Sequence, residues 1–274
     1  MQLTPRDTDI LEAIYRFRVM RQDQIHTLFF GKSRTASQRR LELLYDHGFI
    51  DRRFLTVRAS YLLSPVLYIL DKRGVAHLRA ERGDETMRWQ TSDKQIGQQF
   101  LEHTLAINDV RIAITLACRR ADYSVLIWYG ESDLKNDFDR VPALDATGLR
   151  KVTSLIPDSY FVLNTPRGIA HFFLELDRGT MTLQRFQNKA LAYWAYYQSG
   201  AYERRYQTKS LRVLTVTITG KRRENLWQAT QKAVESTRFW FGVLNDISNQ
   251  TVLNTPIWQV VGKEGYFPLI EPSA

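Results

Sequence analysis

The sequence predicts an α+β or α/β protein of two domains, and three observations carry that prediction. Residues 1–85 read in the order helix, helix, helix, strand, strand, helix. Residues 86–99 are polar and mixed in charge, as a linker would be. Residues 100–274 read as helix, three strands, helix and strand, an order that suits a three-layer domain with a mixed central sheet.

The first helix opens at Thr4-Pro5-Arg6-Asp7. Thr4 can cap, Pro5 suits the first helical position, and Asp7 and Asp9 suit the positive end of the helix dipole. Ile10, Leu11, Ile14, Tyr15 and Phe17 then recur at helical spacing. A short second helix is expected from Arg21 to Phe29, with Ile25, Leu28 and Phe29 inward. Gly31-Lys32-Ser33 is a turn and cap, and a third helix follows from Arg34 to His47, burying Ala36, Leu41, Leu43 and Leu44 and stopping at Gly48. Strands are expected at Phe49–Leu55 and Val66–Leu70, with a helix after Gly74.

Beyond the linker, a long helix is expected from Ile96 to Arg120, a strand from Tyr123 to Tyr129, and a polar loop from Glu131 to Arg150. Next comes a hairpin: Pro157–Leu163, the turn Asn164-Thr165-Pro166-Arg167-Gly168, and His171–Arg178. Side chains alternate along a strand, so Glu175 and Asp177 share one face and Asp158 lies across from them. Carboxylates gathered at one end of an apolar hairpin call for a cation, either a metal ion or a basic side chain. A helix from Met181 to Tyr197, a strand at Leu211–Ile218, a helix from Arg223 to Phe239 and a last strand at Trp258–Val261 complete the pattern.

Net charge is +9 and the isoelectric point about 9.6, which favours an anionic partner, nucleic acid first. The excess is focused: residues 18–58 carry nine Lys or Arg against four acids. No apolar run is long enough to span a bilayer, and Met1–Asp7 lacks the apolar core of a signal peptide. The single cysteine, Cys118, sits in an apolar helical pattern and reads as a small core residue. The expectation is a cytoplasmic protein with no membrane partner.

The first eighty-five residues, with a short second helix and a basic third one, resemble a winged helix-turn-helix domain. The resemblance places the third helix in the major groove of double-stranded DNA. It makes Lys32, Ser33, Arg34, Thr35, Gln38 and Arg39 candidate DNA contacts, with Arg52, Arg53 and Arg58 in or beside the wing. Thr35, Gln38 and Arg39 share one helical face. Gln can read adenine and Arg guanine, while Lys32 and Ser33 suit phosphate. The alternative is a protein-contact module with a solvated basic face.

The second domain's element order resembles the PD-(D/E)xK nuclease-like fold. Pro157-Asp158 and Glu175 match that motif, whereas Asp177 stands where the motif has lysine. Some relatives move the lysine to the following helix. Here Lys189 lies four residues before Tyr193, similar to the Gln-x-x-x-Tyr helix motif of some members. These features together, with Glu102–Asp109 opening the second domain, resemble the replication-relaxation proteins found near plasmid and mobile-element genes.

The resemblance implies Asp158, Glu175 and Lys189 as catalytic residues, and Asp158, Glu175 and Asp177 as ligands for Mg²⁺ or Mn²⁺, which would activate water and screen phosphate. No other cofactor is implied. In the alternative, Glu175 and Asp177 pair with Lys189 and Arg185 in a retired scaffold. Tyr193, Trp194, Tyr196, Tyr197, Tyr202 and Tyr206 are read as core packing, with stacking on bases as the alternative. Phe239, Trp240 and Phe241, if exposed, would point to a homodimer. The expected function is that of a DNA-binding protein of a plasmid or mobile element, working with replication or mobilisation proteins. Its second domain is either inactive or a metal-dependent endonuclease. A dimeric transcriptional repressor is a further alternative.

Overall fold

The computed structural model describes residues 1–31, 33–55, 65–88 and 97–271. The chain divides into two compact units, Met1–Ile112 and Ala113–Ala274. The long helix predicted after the linker therefore contributes its first half to the first unit.

The first unit contains α1 (Pro5–Phe17), β1 (Met20–Arg21), α2 (Gln22–Phe29), α3 (Arg34–Asp46), β2 (Ile50–Phe54), β3 (Val66–Leu70), α4 (Lys72–Arg82) and the start of α5 (Gln98–Ala121). Its sheet runs β1-β3-β2, antiparallel throughout. The two-residue strand β1 has no sequence signature of its own. Helix α1 starts as expected: the Thr4 side chain accepts from Asp7 N, and the Asp7 carboxylate accepts from Thr4 N at 2.6 Å, a reciprocal capping box. Val19, Leu67, Ile69, Leu101 and Leu105 pack as one apolar cluster.

Helix α3 turns differently from the apolar count. Its inward residues are Ser37, Leu41 and Leu44, while Ala36 and Leu43 are exposed. The cause is Arg40, which bonds the buried Asp7 and fixes the rotation of the helix. In α2 only Gln24 and Ile25 are buried, and Leu28 and Phe29 are half-buried.

The second unit holds the rest of α5, β4 (Ser124–Gly130), α6 (Glu131–Asn136), β5 (Asp139–Leu144), β6 (Arg150–Leu155), β7 (Ser159–Thr165) and β8 (Gly168–Asp177). After them come α7 (Leu183–Gln198), α8 (Ala201–Tyr206), β9 (Arg212–Thr217), α9 (Gly220–Ala233), β10 (Phe239–Val243), β11 (Trp258–Val260) and β12 (Tyr266–Phe267). One mixed sheet runs β12-β11-β10-β9-β8-β7-β4. β8, β9 and β10 are mutually parallel, joined by crossovers through α7 and α9, and the flanking pairs are antiparallel. Gly242 on β10 is needed for a close approach, since a Cβ there would lie 2.9 Å from the Trp258 ring.

Three expectations fail here. The polar loop of residues 131–150 is instead a short helix and the first part of the β5–β6 hairpin, which pairs from Asp139↔Leu155 to Leu144↔Arg150. That hairpin buries only Val141, Ala143 and Leu155, too sparse a pattern to read. The helix predicted to run to Phe239 ends at Ala233, and Phe239-Trp240-Phe241 belong to β10. All three are buried, so they offer no surface for a dimer. The tyrosines are core: Tyr193, Tyr196 and Tyr202 are buried, and Tyr202 packs edge-on against Phe173 at 5.8 Å between centroids. They are not available to stack on bases. Cys118 is buried, as expected of a small core residue. Among the described residues, no helix is long and apolar enough to cross a membrane.

Candidate functional site

The strand register brings Asp158 and Glu175 together. Ser159 pairs with Leu174, so the residue before it stands beside Glu175. Asp158 brackets that position with its own backbone and side chain: its N–H donates to Leu174 O at 3.0 Å, and its carboxylate accepts from Leu176 N at 2.7 Å. Thr215 on β9 flanks Glu175 on the other side.

Helix α7 packs over this face. Thr182 caps it, and Phe186, Ala190 and Tyr193 face inward. The spacing Lys189-x-x-x-Tyr193 puts both polar groups one turn apart over the strand. Lys189 Nζ lies 2.5 Å from Glu175 Oε2, and the Tyr193 hydroxyl donates to Glu175 Oε1. Both oxygens of the carboxylate are thus engaged, one by a charge and one by a neutral donor.

The electrostatics follow from that packing. Burial pushes the Glu175 carboxyl up, Lys189 pulls it back, and the nearby Asp158 charge raises it again, leaving it at about 7. Burial disfavours the Lys189 ammonium, but Glu175 and Asp158 outweigh it and hold Lys189 above its ordinary value. Burial and the Glu175 charge raise Tyr193 well above its ordinary value, so it stays a hydrogen-bond donor.

Asp177 is on the same strand face but belongs to another cluster. Arg222, in the first turn of α9, grips it with both arms: Nε to Oδ2 at 2.7 Å and Nη2 to Oδ1 at 3.0 Å. Gly179 N donates to it at 3.1 Å, and the Thr217 hydroxyl at 3.3 Å. Arg222 also donates to Met181 O, tying the strand end to α9 and to the turn before α7. Sequence reasoning paired Asp177 with Arg185. The partner is Arg222, forty-five residues away, and Arg185 is exposed.

These positions bear on the divalent cation expected here. Asp158 and Glu175 share the face a metal would need, but Lys189 already supplies positive charge to Glu175. Asp177 is committed to Arg222. Among the described residues, no group of three or more His, Cys, Asp or Glu side chains is arranged to hold a metal ion. Glu102, a further acid on α5, accepts from Gln98 at 2.8 Å within the first unit.

The basic candidates of the first unit divide into two sets. Ser33, Arg34, Thr35, Gln38 and Arg39 are all exposed on α3, and the Ser33 side chain caps the helix. Among the described residues Arg34 and Arg39 form no ion pair. Two other charges counted in the basic stretch are held in ion pairs. Arg40 is bound to Asp7. Arg21 reaches Asp109 at 2.7 Å and Asp23 at 2.9 Å. Arg52 is half-buried and stacks over Tyr45 at 4.2 Å. Lys32 and Arg58 lie outside the described residues.

A protein of two α+β units, one presenting a basic helix and the other a seven-stranded mixed sheet with a carboxylate pair, is what this geometry defines. The chain belongs to the replication-relaxation family, whose sequence pattern matches residues 11–211. No curated protein matches it. Among solved structures it is similar to the restriction endonuclease FokI, with a TM-score of 0.30 and 10% identity over 88% of this chain and 42% of that one. The chain thus spans less than half the length of that enzyme.

Proposed function

We propose that this is a DNA-binding protein whose first unit docks on duplex DNA as a winged helix. Its second unit is a PD-(D/E)xK-like scaffold that keeps its carboxylates in a neutralised, inactive state. The observation that carries the docking is the outward face of α3. Five polar or basic side chains reach solvent there, while Arg40 turns inward to Asp7. A helix bearing Gln38 and Arg39 on one exposed face has the donors to read base edges, with Ser33 and Arg34 near its start to meet phosphate. The family description supports a role in replication or relaxation, and this reading sets that role on plasmid or mobile-element DNA alongside replication or mobilisation proteins.

The second unit's inactivity rests on Lys189 and Tyr193 occupying both Glu175 oxygens. The rival reading, a Mg²⁺- or Mn²⁺-dependent endonuclease, draws on the same geometry: Asp158 and Glu175 would hold the ion and Lys189 would supply the cation. There the metal would contribute an activated water, and Lys189 would stabilise negative charge on phosphate.

Supercoiled plasmid incubated with Mg²⁺ or Mn²⁺ separates the two. The expected result is intact plasmid with retained duplex binding. Cleavage by the wild type that disappears in both Asp158→Ala and Glu175→Ala would establish the endonuclease instead. Docking itself is checked by salt: affinity should fall linearly with salt on a log–log plot, Arg34→Ala should reduce the slope by about one, and Arg39→Ala should cost about 1–3 kcal/mol and relax sequence preference. A flat salt response would defeat it. A dimeric repressor would instead show two-fold stoichiometry on a palindromic site and no effect on plasmid topology.

A further inference from the structure

The β5–β6 hairpin and the start of α7 border a half-open cavity of about 400 Å³ within the second unit. Its apolar lining is Ile156 and Met181, with Leu144 and Val152 exposed at the rim. Its polar lining carries Lys151, Arg185 and Asn188, with Lys189 at the inner end beside Glu175.

The charge in this cavity is only partly offset from within, by Glu175 on Lys189 and by the attraction between Asp145 and Lys151. Among the described residues neither Lys151 nor Arg185 forms an ion pair. Arg185 is unspent because Arg222 has taken Asp177. The one acid in the wall, Asp145, is turned into its own loop, where it accepts from Thr147 N at 2.9 Å, Thr147 Oγ1 at 2.6 Å and Leu149 N at 3.1 Å. The Asn188 carbonyl oxygen is taken by Ala146 N at 2.8 Å, which leaves its amide NH₂ as a donor for a ligand. The outer apolar residues are unusually bare for a hairpin: Leu144 is 57% and Val152 62% exposed.

We propose that this cavity binds a phosphate ester of the nucleotide class. The Lys151 and Arg185 side chains hold the phosphate, Arg185 by its two-pronged guanidinium, and Ile156 and Met181, with Leu144 and Val152 at the rim, cover the base or sugar. The volume suits one nucleotide. This goes beyond duplex docking by α3 and does not depend on it. The phosphate has two sources, a free mononucleotide or the phosphorylated end of a nucleic-acid strand.

The test is equilibrium binding of the full chain to AMP, ATP, inorganic phosphate and a short single-stranded oligonucleotide with and without a 5′-phosphate. One site per chain is expected, at which Arg185→Glu and Lys151→Glu each weaken binding by about tenfold or more. Both positions are at the surface, so thermal unfolding of each variant should match the wild type. Arg39→Glu, on the other unit, should leave nucleotide binding unchanged while weakening duplex binding. Binding of the mononucleotides alone identifies a free nucleotide. Binding of the 5′-phosphorylated oligonucleotide, in competition with AMP and much stronger than of its unphosphorylated form, identifies a strand end. No saturable binding of any of these compounds, or binding indifferent to both Lys151→Glu and Arg185→Glu, would overturn the proposal.

Discussion

Asp7 and Glu175 are both buried carboxylates facing one basic side chain, yet burial has opposite outcomes for them. Burial pushes Asp7 up, but Arg40 grips both its oxygens, and Thr4 donates from its hydroxyl and its backbone N–H. The net result lies below the ordinary carboxylate range. Glu175 has one ammonium and one phenol, and Asp158 stands beside it as a like charge, so burial prevails. The lesson is that the number and charge of the donors, rather than depth, decide whether a buried acid stays ionised. Asp7 is a structural clamp. Glu175 is a group whose proton can come and go near neutrality.

The largest effect expected is at Asp7. Asp7→Ala removes the capping box and leaves Arg40 without its partner, which should cost about 3 kcal/mol in denaturant unfolding. A loss below about 1 kcal/mol would remove the clamp from the comparison.

The pH dependences should run in opposite directions. Asp7 has a depressed value, so its contribution to stability is present above its ordinary value of 3.8 and disappears as the pH falls below that. Glu175 is raised from 4.5 to about 7, so the folded state binds its proton more tightly. Its contribution is greatest below 4.5 and is lost as the pH rises through 7. Unfolding free energies between pH 4.5 and 7 should therefore fall less steeply in Glu175→Gln than in the wild type. Equal slopes would show that Glu175 keeps its charge.

The smallest effect expected is at Tyr193. Tyr193→Phe deletes one hydrogen bond to Glu175 and should cost about 1 kcal/mol. It should also move the Glu175 midpoint further up, which a carboxyl-stretch titration by infrared spectroscopy would record. No shift would mean that the Lys189 contact alone controls the group.

What was legible in the sequence was local. The Thr4-Asp7 cap lies within one turn, and Asp158 beside Glu175 follows from the hairpin register. Lys189 over Glu175 follows from a strand handing directly to a helix. What was missed depended on distance or on a weak pattern. Arg222 finds Asp177 across three intervening elements, and nothing in either segment announces the other. Gln24 is buried because it donates to Leu105 O at 3.0 Å and Asp109 at 2.7 Å, again a long-range pairing. Strand β10 is a continuous apolar run, as a strand buried on both faces should be, and short runs of that kind read equally well as helix. Pro142 and the charged residues of the β5–β6 hairpin masked a strand pair whose burial falls on three side chains.

The parallel arrangement of β8 and β9 has a consequence for the chain as it is being made. Hairpin β7–β8 can close as soon as residue 177 has emerged, whereas its parallel neighbour begins at Arg212. For the length of chain between them, β8 is the open border of a growing sheet and a template for another nascent chain. Glu175 and Asp177 sit at the end of that border. Before Lys189 and Arg222 arrive they present two unmatched charges, the kind of edge that a neighbouring apolar strand does not join. The carboxylates that mark the mature site also guard the unfinished sheet.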